Sequence, residues 1–327
     1  MLASFYSKFG SAREVLQVEE IQTPQLTKGQ VLVRLFNSGV NPSDYKMRLG
    51  SRALIGPFQV PGSDGAGIIE QVGEGVSKER IGQRVWVFNA AYHRQYGTSA
   101  QFTIVEDWMA QVLPEKLSYA QGACLGIPVM TAYRCLFSDG PIQGKTIYIV
   151  GGAGVVAHYA IQLAKWGGAK VITSVSSEEK AIAAKAAGAD EIIHYRQQNV
   201  VDQILRITNQ VGVDRMIDVD FGANLKTCHQ ILKAGGINVM YAFVNQPDLP
   251  IPIMSLMTKN ITLKFTLVYS ISDQEREEVL QGIQQWLNQT KPIFNIAQQF
   301  ALTDIVQAHE LVESGKKIGH VLLDITH

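Results

Sequence analysis

The sequence predicts an α/β fold in which a β-rich domain is followed by a doubly wound parallel sheet, and three observations support this prediction. Up to about Leu113, short apolar runs are separated at close intervals by glycine and proline. From Thr146 onward, strand-like and helix-like segments alternate, which is typical of a parallel sheet covered by helices. Residues 304–314 and 320–325 then predict a helix and a strand, so we expect this tail to fold back onto the β-rich part.

Each element follows from its local pattern. In the β-rich part, residues 31–36, 65–73 and 84–88 predict strands. Ser118 is the expected N-cap of a helix where the pattern changes. In the alternating part, the predicted strands are 146–150, 170–175, 191–195, 215–219 and 237–241, and the helices between them include 156–165, 178–187 and 200–209.

Length, charge and cysteine content limit the function classes. The chain has 327 residues, long enough for two domains, and 29 basic residues balance 29 acidic ones. This balance gives no attraction to nucleic acid or to an anionic membrane, and no apolar run reaches the ~18 residues of a membrane span. The N-terminus lacks the basic region and cleavage signal of a secretory leader. Cys124, Cys135 and Cys228 are widely spaced, which predicts reduced core thiols and a cytoplasmic protein.

A glycine-rich turn follows the first strand of the alternating part. Residues 152–157 match the pattern G-x-G-x-x-A. We expect Gly152 to permit the tight turn and Gly154 to let the backbone approach a pyrophosphate. We expect Ala157 to let the next helix lie close to the strand, and that helix would offer its free N–H groups to phosphates. The pattern predicts a dinucleotide site that also includes Ala153 and Val155.

The end of the second strand indicates which dinucleotide binds. Sites that prefer NADH place an acidic residue there for the ribose diol, whereas this chain has Ser176 and Ser177, with Lys180 one helical turn later. Hydroxyl donors and a lysine suit a 2′-phosphate, so we predict NADPH. The alternative is that the serines cap a helix and Lys180 is solvated, and both descriptions can hold at a helix N-terminus.

Five motifs in their order and spacing resemble the zeta-crystallin-like quinone oxidoreductases, which are zinc-independent medium-chain dehydrogenases/reductases. The motifs are N-P-S-D at 41–44, P-G-S-D-G-A-G at 61–67, P-E-K-L-S at 114–118, G-I-P-V-M-T-A-Y at 126–133 and A-G-A-D at 187–190. The resemblance covers nearly the whole chain. It implies a GroES-like catalytic domain from residues 1–122 and 267–327, a Rossmann domain from 123–266, and NADPH in the cleft between them.

The resemblance also implies a set of cofactor-binding residues. Asn41 and Asp44 are expected beside the nicotinamide ribose and ring, and Thr131 near the nicotinamide or its phosphates. The expected partners of the other cofactor groups are Gly152 and Gly154 for the pyrophosphate, Ser174, Lys180 and Tyr195 for the 2′-phosphate side, Phe243 and Leu267 for the nicotinamide, and Lys316 or Lys317 as a further contact.

Two positions depart from the quinone oxidoreductases, which carry tyrosines at or near them: Lys46 and Arg52. Lys46 instead resembles the alkenal/enone reductase branch, with its N-P-x-D-x-K motif, and Arg52 counts against an enoyl-thioester reductase. Hydride transfer from NADPH to a quinone or enone leaves negative charge on the acceptor oxygen, and a cation there would stabilise it. Lys46 is the first candidate and Arg52 the second. The alternative for Lys46 is an exposed loop charge.

No metal site is expected. The zinc alcohol dehydrogenases have a cysteine ligand in the loop that matches residues 38–44, and a histidine where this chain has Ser63. The first loop has no cysteine, and the seven histidines of the chain are scattered along it.

Three functions stay open at this point: NADPH-dependent quinone reduction, which is favoured, enone reduction, and non-catalytic NADPH binding as in a crystallin. Tyr45, Phe58 and Tyr269 are expected either to line an aromatic slot for the acceptor or to belong to the core. Residues 261–266 predict an apolar edge strand that needs a partner. The resemblance implies that this strand pairs with its two-fold mate, in a homodimer or homotetramer.

Overall fold

The computed structural model describes residues 1–242 and 249–326. In chain order, the strands are β1 (Leu2–Phe5), β2 (Gln17–Glu20), β3 (Gln30–Val40), β4 (Asp64–Val72), β5 (Arg84–Val87), β6 (Phe102–Glu106), β7 (Ala110–Val112), β8 (Thr146–Ile149), β9 (Lys170–Val175), β10 (Glu191–His194), β11 (Val213–Asp218), β12 (Leu232–Met240), β13 (Thr262–Phe265), β14 (Ile296–Ala301) and β15 (His320–Asp324). The helices are α1 (Ala12–Val15), α2 (Pro42–Lys46), α3 (Tyr119–Gly122), α4 (Gly126–Phe137), α5 (Val155–Trp166), α6 (Glu178–Ala186), α7 (Val200–Ile207), α8 (Phe221–Ile231), α9 (Ile253–Met257), α10 (Asp273–Gln289) and α11 (Ile305–Glu313).

The chain divides into two compact units, Met1–Ile127 with Phe294–His327, and Pro128–Ile293. This division differs from the predicted one, which grouped residues 267–293 with the first domain. The reason is α10, a helix that the sequence patterns did not predict. The ring of Trp286 on this helix contacts Tyr159, and Gly282 leaves the space that the Tyr133 ring fills.

The first unit is built on one sheet of seven strands. Its order is β14-β15-β3-β4-β5-β7, and β6 also pairs with β3. Strand β15 lies antiparallel to β3, with Val321 opposite Val40, so the tail folds back onto the β-rich part as predicted. The long β3 is central because it buries residues on both of its faces.

The second unit contains a parallel sheet of six strands in the order β10-β9-β8-β11-β12-β13. The strand order reverses between β8 and β11, and in such sheets ligands bind outside the carboxyl ends of the strands at this point. This order confirms the predicted doubly wound sheet. Its apolar side chains include a buried cluster with Tyr148, Ile172 and Ile193.

The three cysteines are buried and free, as predicted. Within residues 1–242 and 249–326, no helix has the length and apolar character needed to cross a bilayer.

Candidate cofactor and acceptor sites

The glycine-rich turn joins β8 to α5, and its glycines divide their roles differently from the prediction. The left-handed residue of the turn is Gly151, with φ of +70°, rather than Gly152. Gly152 is required for space instead, because a Cβ there would lie 2.3 Å from Oγ1 of Thr173. That hydroxyl is fixed, since it donates to the carbonyl of Ile149 at 2.6 Å.

The N-terminus of α5 has the form expected of a phosphate site. Gly154 is the exposed N-cap residue, and a Cβ there would meet only the carbonyl oxygen of Gly151, at 3.2 Å. Ala157 is buried, so the small residue lets the helix lie against the sheet as predicted. Ala153 is also buried, and Val155 is partly exposed at the first turn. The free N–H groups and the positive end of the helix dipole therefore lie next to an open backbone.

The end of β9 brings together a hydroxyl and an ammonium group. Nζ of Lys180 donates to Oγ of Ser176 at 3.0 Å. Oγ of Ser177 accepts from the backbone N–H of Lys180 at 3.5 Å, so Ser177 caps α6. One serine thus caps the helix, as the alternative interpretation expected, and the other adjoins the lysine.

Ser174 has a different position from the predicted one. Its side chain is buried and accepts the hydroxyl of Tyr148 at 2.8 Å, and its carbonyl accepts from the N–H of Gly152 at 3.0 Å. Burial raises the pKa of Tyr148 to about 12, so its hydroxyl remains a donor at neutral pH. Ser174 therefore supports the glycine turn from below. Tyr195 is 48% exposed directly after β10, and its N–H donates to the carbonyl of Val175 at 3.1 Å.

The remaining predicted residues of the second unit lie on three segments. Thr131 is nearly buried in α4. Leu267 is 52% exposed just after β13, and Tyr269 is partly exposed in the short turn that follows. Phe243 lies outside the described residues.

In the first unit, Asn41 links two buried carboxyl groups. Its backbone N–H donates to Oδ2 of Asp44 at 2.7 Å, and its side-chain Nδ2 donates to Oδ2 of Asp64 at 2.7 Å. Oδ1 of Asp64 accepts from the N–H of Ile127 at 2.9 Å. Oδ1 of Asp44 has no hydrogen-bond partner among the described residues. Of the four carboxyl oxygens, only this one therefore lacks a donor in the described chain.

Burial raises the pKa of Asp44 to about 7, although the backbone N–H groups of Asn41 and Gly62 oppose the shift. Burial also raises the pKa of Asp64 to about 7. The sequence analysis did not give Asp64 a role, and the signal available was its place in the P-G-S-D motif. A Cβ at Gly126 would overlap the Asp64 carboxyl group, so that glycine is what lets the carboxylate approach the start of α4.

Lys46 and Arg52 flank one irregular turn. Lys46 is exposed at the end of α2, and the chain then forms a π-helical turn over Met47–Ser51 in which Gly50 has φ of +95°. Arg52 follows the turn, and its guanidinium carbon lies 4.3 Å from the centre of the Tyr92 ring.

Four further predicted residues have defined surroundings. Phe58 packs against the cluster of Ala3, Val60 and Ala100, so it belongs to the core rather than to a slot, and Tyr45 is partly exposed. Nζ of Lys317 donates to the carbonyl of Gly319 at 2.7 Å, and burial lowers its pKa to about 8. Lys316 is exposed beside it.

The described residues form no metal site. Ser63 is buried. In the described part of the chain, His, Cys, Asp and Glu side chains form no group of three that would hold a metal ion.

Comparison with known proteins gives two matching family models. The model described as "Alcohol dehydrogenase GroES-like domain" matches residues 27–123, and the one described as "Zinc-binding dehydrogenase" matches residues 155–285. Each model thus falls mainly in one of the two units.

Individual relatives match over nearly the whole chain. A quinone oxidoreductase of Rattus norvegicus is 32% identical over 320 residues, which are 95% of this chain and 94% of that protein. The 2-methylene-furan-3-one reductase of Solanum lycopersicum is 29% identical over 333 residues, which are 99% of this chain and 79% of the reductase. The structure of the Escherichia coli quinone oxidoreductase complexed with NADPH has a TM-score of 0.87 at 25% identity, covering 99% of this chain and 100% of the other.

Proposed function

This chain belongs to the zeta-crystallin-like quinone oxidoreductases of the medium-chain dehydrogenase/reductase family, and from that premise we propose that it reduces quinones by hydride transfer from NADPH. The observation that carries the choice of cofactor is the contact between Lys180 and Ser176 at the end of β9. No acidic side chain occupies that strand end, where NADH-dependent enzymes bind the ribose diol.

The residues of the second unit fit NADPH. We propose that Gly152, Ala153, Gly154 and Val155 form the pyrophosphate site at the start of α5. The phosphates would bind the N–H groups of Ala153 and Val155, because those of Gly152 and Gly154 donate to the carbonyls of Ser174 and Gly151. Ser176, Lys180 and Tyr195 bind the 2′-phosphate with hydroxyl groups and one positive charge. Ser174 acts indirectly, because its buried hydroxyl and carbonyl hold the glycine turn. Thr131, Leu267 and Phe243 stay proposals for the nicotinamide end, as do Asn41, Asp44 and Lys317 of the first unit.

NADPH supplies the hydride when it is bound. A quinone that accepts hydride becomes a hydroquinone anion, which then needs one proton. We propose that the ammonium group of Lys46 stabilises this anion and that the guanidinium of Arg52, held over Tyr92, adds positive charge. Both cations lie on the same short segment, and in this proposal they stabilise the anion without a metal ion.

A second acceptor class is supported by one residue and one relative. Lys46 follows the N-P-x-D-x-K pattern of the enone reductases, and the tomato relative is named as a furanone reductase. In an enone, hydride adds to the β-carbon and the negative charge develops on the carbonyl oxygen. A cation is needed more for this acceptor than for a quinone, because a quinone is already a good hydride acceptor.

The experiment that tests the proposal is NADPH oxidation against parallel panels of quinones and enones. We expect turnover with quinones at least, and a loss of roughly 10²-fold in enone turnover for Lys46→Met, the effect of removing one oxyanion donor. Lys28→Met is the control, since Lys28 is an exposed lysine paired with Glu74. If the protein turned over neither quinones nor enones, the proposal would be contradicted. An unchanged enone rate in Lys46→Met would make that lysine a solvated charge.

We also propose a metal-independent enzyme, a homodimer or homotetramer, and a cytoplasmic location. The first is supported by Ser63 and by the lack of a cysteine among residues 38–44, and the last by the three free thiols. Full activity after treatment with a chelator, together with less than one zinc per chain in elemental analysis, is the expected result. Tightly bound stoichiometric zinc would refute metal independence.

A further inference from the structure

Arg48 is a fully buried arginine in the segment between Lys46 and Arg52. Its side chain has no exposed surface, and the sequence analysis gave it no role. One terminal nitrogen of its guanidinium donates to the carbonyl of Gly10, and the other forms an ion pair with the carboxylate of Glu313.

These bonds join three separate parts of the first unit. Arg48 lies in the π-helical turn Met47–Ser51, Gly10 belongs to the loop after β1, and Glu313 is the last residue of α11. The N–H of Gly10 also donates back to the carbonyl of Arg48 at 3.2 Å. The turn is therefore held through both the side chain and the backbone of one residue.

Two further features, besides the buried Met47, affect the position of this turn. Gly50 has a left-handed backbone, which leaves this point of the chain conformationally permissive. A Cβ at Gly50 would lie 3.4 Å from the ring of Phe9. The loop that contains Phe9 and Gly10 therefore packs against the turn. Without the Arg48 bonds, this contact, the buried Met47 and the contact of Arg52 with the Tyr92 ring would remain to hold the segment.

Burial of Arg48 is costly, which argues against a purely stabilising role. Removing a guanidinium from water costs several kcal/mol, and a buried ion pair is often no more stabilising than apolar residues of the same volume. The neighbouring His309 lies in the same buried environment. Burial, together with the charge of Arg48, lowers the pKa of His309 to about 3, and its two ring nitrogens have no partner among the described residues. Fixing a geometry is the better attested use of such a buried charge.

We propose that Arg48 is a positioning residue that holds the Met47–Ser51 turn and thereby sets the place from which Lys46 acts on the acceptor. The part that concerns Lys46 rests on the proposed function. Because a misplacement of about 1 Å can lower turnover by up to 10²-fold, the anchor of this turn affects catalysis without touching the acceptor.

The first test is independent of activity. Arg48→Lys keeps the positive charge, but a single ammonium group cannot reproduce the two separate bonds of the guanidinium. Arg215→Lys is the matched control, because Arg215 is also buried and donates to the carbonyl of Cys135 at 2.6 Å and to Asp139 at 2.8 Å, in the second unit. We expect amide hydrogen exchange over residues 46–52 to become about tenfold faster in Arg48→Lys and to stay unchanged in Arg215→Lys.

The second test is a double-mutant cycle between Arg48→Lys and Lys46→Met, measured as enone and quinone turnover at saturating NADPH. We expect Arg48→Lys to lower kcat roughly tenfold with an unchanged dissociation constant for NADPH. We expect the double variant to lose less than the product of the two single losses, because both act on the same ammonium group.

The outcomes separate the two proposals. Unchanged exchange over residues 46–52, or losses in the cycle that multiply fully, would overturn the positioning role of Arg48. If the natural protein turned over no quinone or enone, the proposed function would fail, while the exchange measurement would still decide whether Arg48 holds the turn.

Discussion

Charged residues of this chain fall into two groups at the scale of single side chains. Lys180 and Lys46 are at least partly exposed and are available to an anion, whereas Asp44, Asp64 and Arg48 are buried among specific donors and acceptors. We expect the exposed group to bind the negative charges of ligands. The buried group fixes backbone segments, and its protonation is linked to folding.

Lys180→Ala should raise the dissociation constant for NADPH by the equivalent of roughly 1.5–3 kcal/mol, the scale of a charge-assisted hydrogen bond. NADH binding should be nearly unchanged, because NADH has no 2′-phosphate. Both can be measured by fluorescence titration. Lys185→Ala is the control on the same helix, since Lys185 donates to the carbonyl of Ala189. Equal affinities of the natural protein for the two cofactors would refute the choice of NADPH.

Asp44→Asn should change how stability depends on pH. Burial raises the pKa of Asp44 from 3.8 to about 7, so the folded state binds an additional proton between these values. This contribution is fully present below about pH 4 and is lost as pH rises towards 7, at about 1.4 kcal/mol for each pKa unit. The Asn variant lacks the loss, so its free energy of unfolding relative to the natural protein should be higher at pH 8 than at pH 5.

The free energy of unfolding of these variants can be measured by urea unfolding at pH 5 and pH 8. Asp139→Asn is the contrasting variant. Although burial opposes the shift, Lys264 and Arg215 lower the pKa of Asp139 to about 2. Its stabilising effect is therefore present above about pH 4 and lost as pH falls towards 2. This variant should be destabilised to a similar extent at pH 5 and pH 8. If Asp44→Asn behaved in the same way, Asp44 would be an ordinary ionised carboxylate.

At the scale of elements, each glycine in the turn between β8 and α5 meets a different structural requirement. Gly151 supplies the left-handed conformation, Gly152 avoids the fixed hydroxyl of Thr173, and Gly154 leaves the N-terminus of α5 open. The pattern G-x-G-x-x-A therefore combines a packing requirement with a binding requirement. Alanine substitutions can separate them.

Gly152→Ala should destabilise the protein by about 1–3 kcal/mol, because its Cβ would overlap a β-branched side chain that is hydrogen-bonded in place. Gly154→Ala should lower the melting temperature less than Gly152→Ala, since its Cβ would have one close neighbour, the carbonyl oxygen of Gly151 at 3.2 Å. It should nevertheless weaken NADPH binding, because the methyl group occupies the approach to the pyrophosphate. Thermal unfolding and NADPH titration of both variants test this. Equal melting temperatures for the two variants would refute the distinction.

At the scale of the whole molecule, the parallel sheet ends at β13, whose outer edge pairs with no other strand among the described residues. Large apolar side chains near this edge are strongly exposed: Ile253, Met254, Met257, Phe265 and Leu267. An exposed apolar edge favours association with another chain. This surface supports the proposal that two copies join at β13.

Phe265→Glu should convert the proposed dimer to monomers at micromolar concentration, because it places a charge on a side chain that is 71% exposed in the single chain. Sedimentation velocity measures the change. Ile182→Glu is the control, since Ile182 is 64% exposed on α6, which packs beside the opposite edge of the sheet. A monomeric natural protein, or a Phe265→Glu variant that remains dimeric, would contradict an interface at β13.

The sequence by itself determined the two-part α/β fold, the strand–turn–helix phosphate motif and the meeting of Ser176 with Lys180. These depend on interactions within a few residues, so hydrophobic periodicity and glycine spacing identify them. The boundary between the two units at residue 293 was not predictable, because α10 belongs to the second unit through the surface it packs against.

Only the tertiary structure decided which polar side chains are buried. Ser174 was expected near the 2′-phosphate but lies in the interior, while Asp64 and Arg48 gained roles from partners distant in sequence: Ile127 for one and Glu313 for the other. Burial and the pKa shifts that follow from it depend on which surfaces meet in space. A linear pattern does not contain that information. Asp64 and Ile127 are 63 positions apart, Arg48 and Glu313 are 265 positions apart, and each pair meets only in the packed fold.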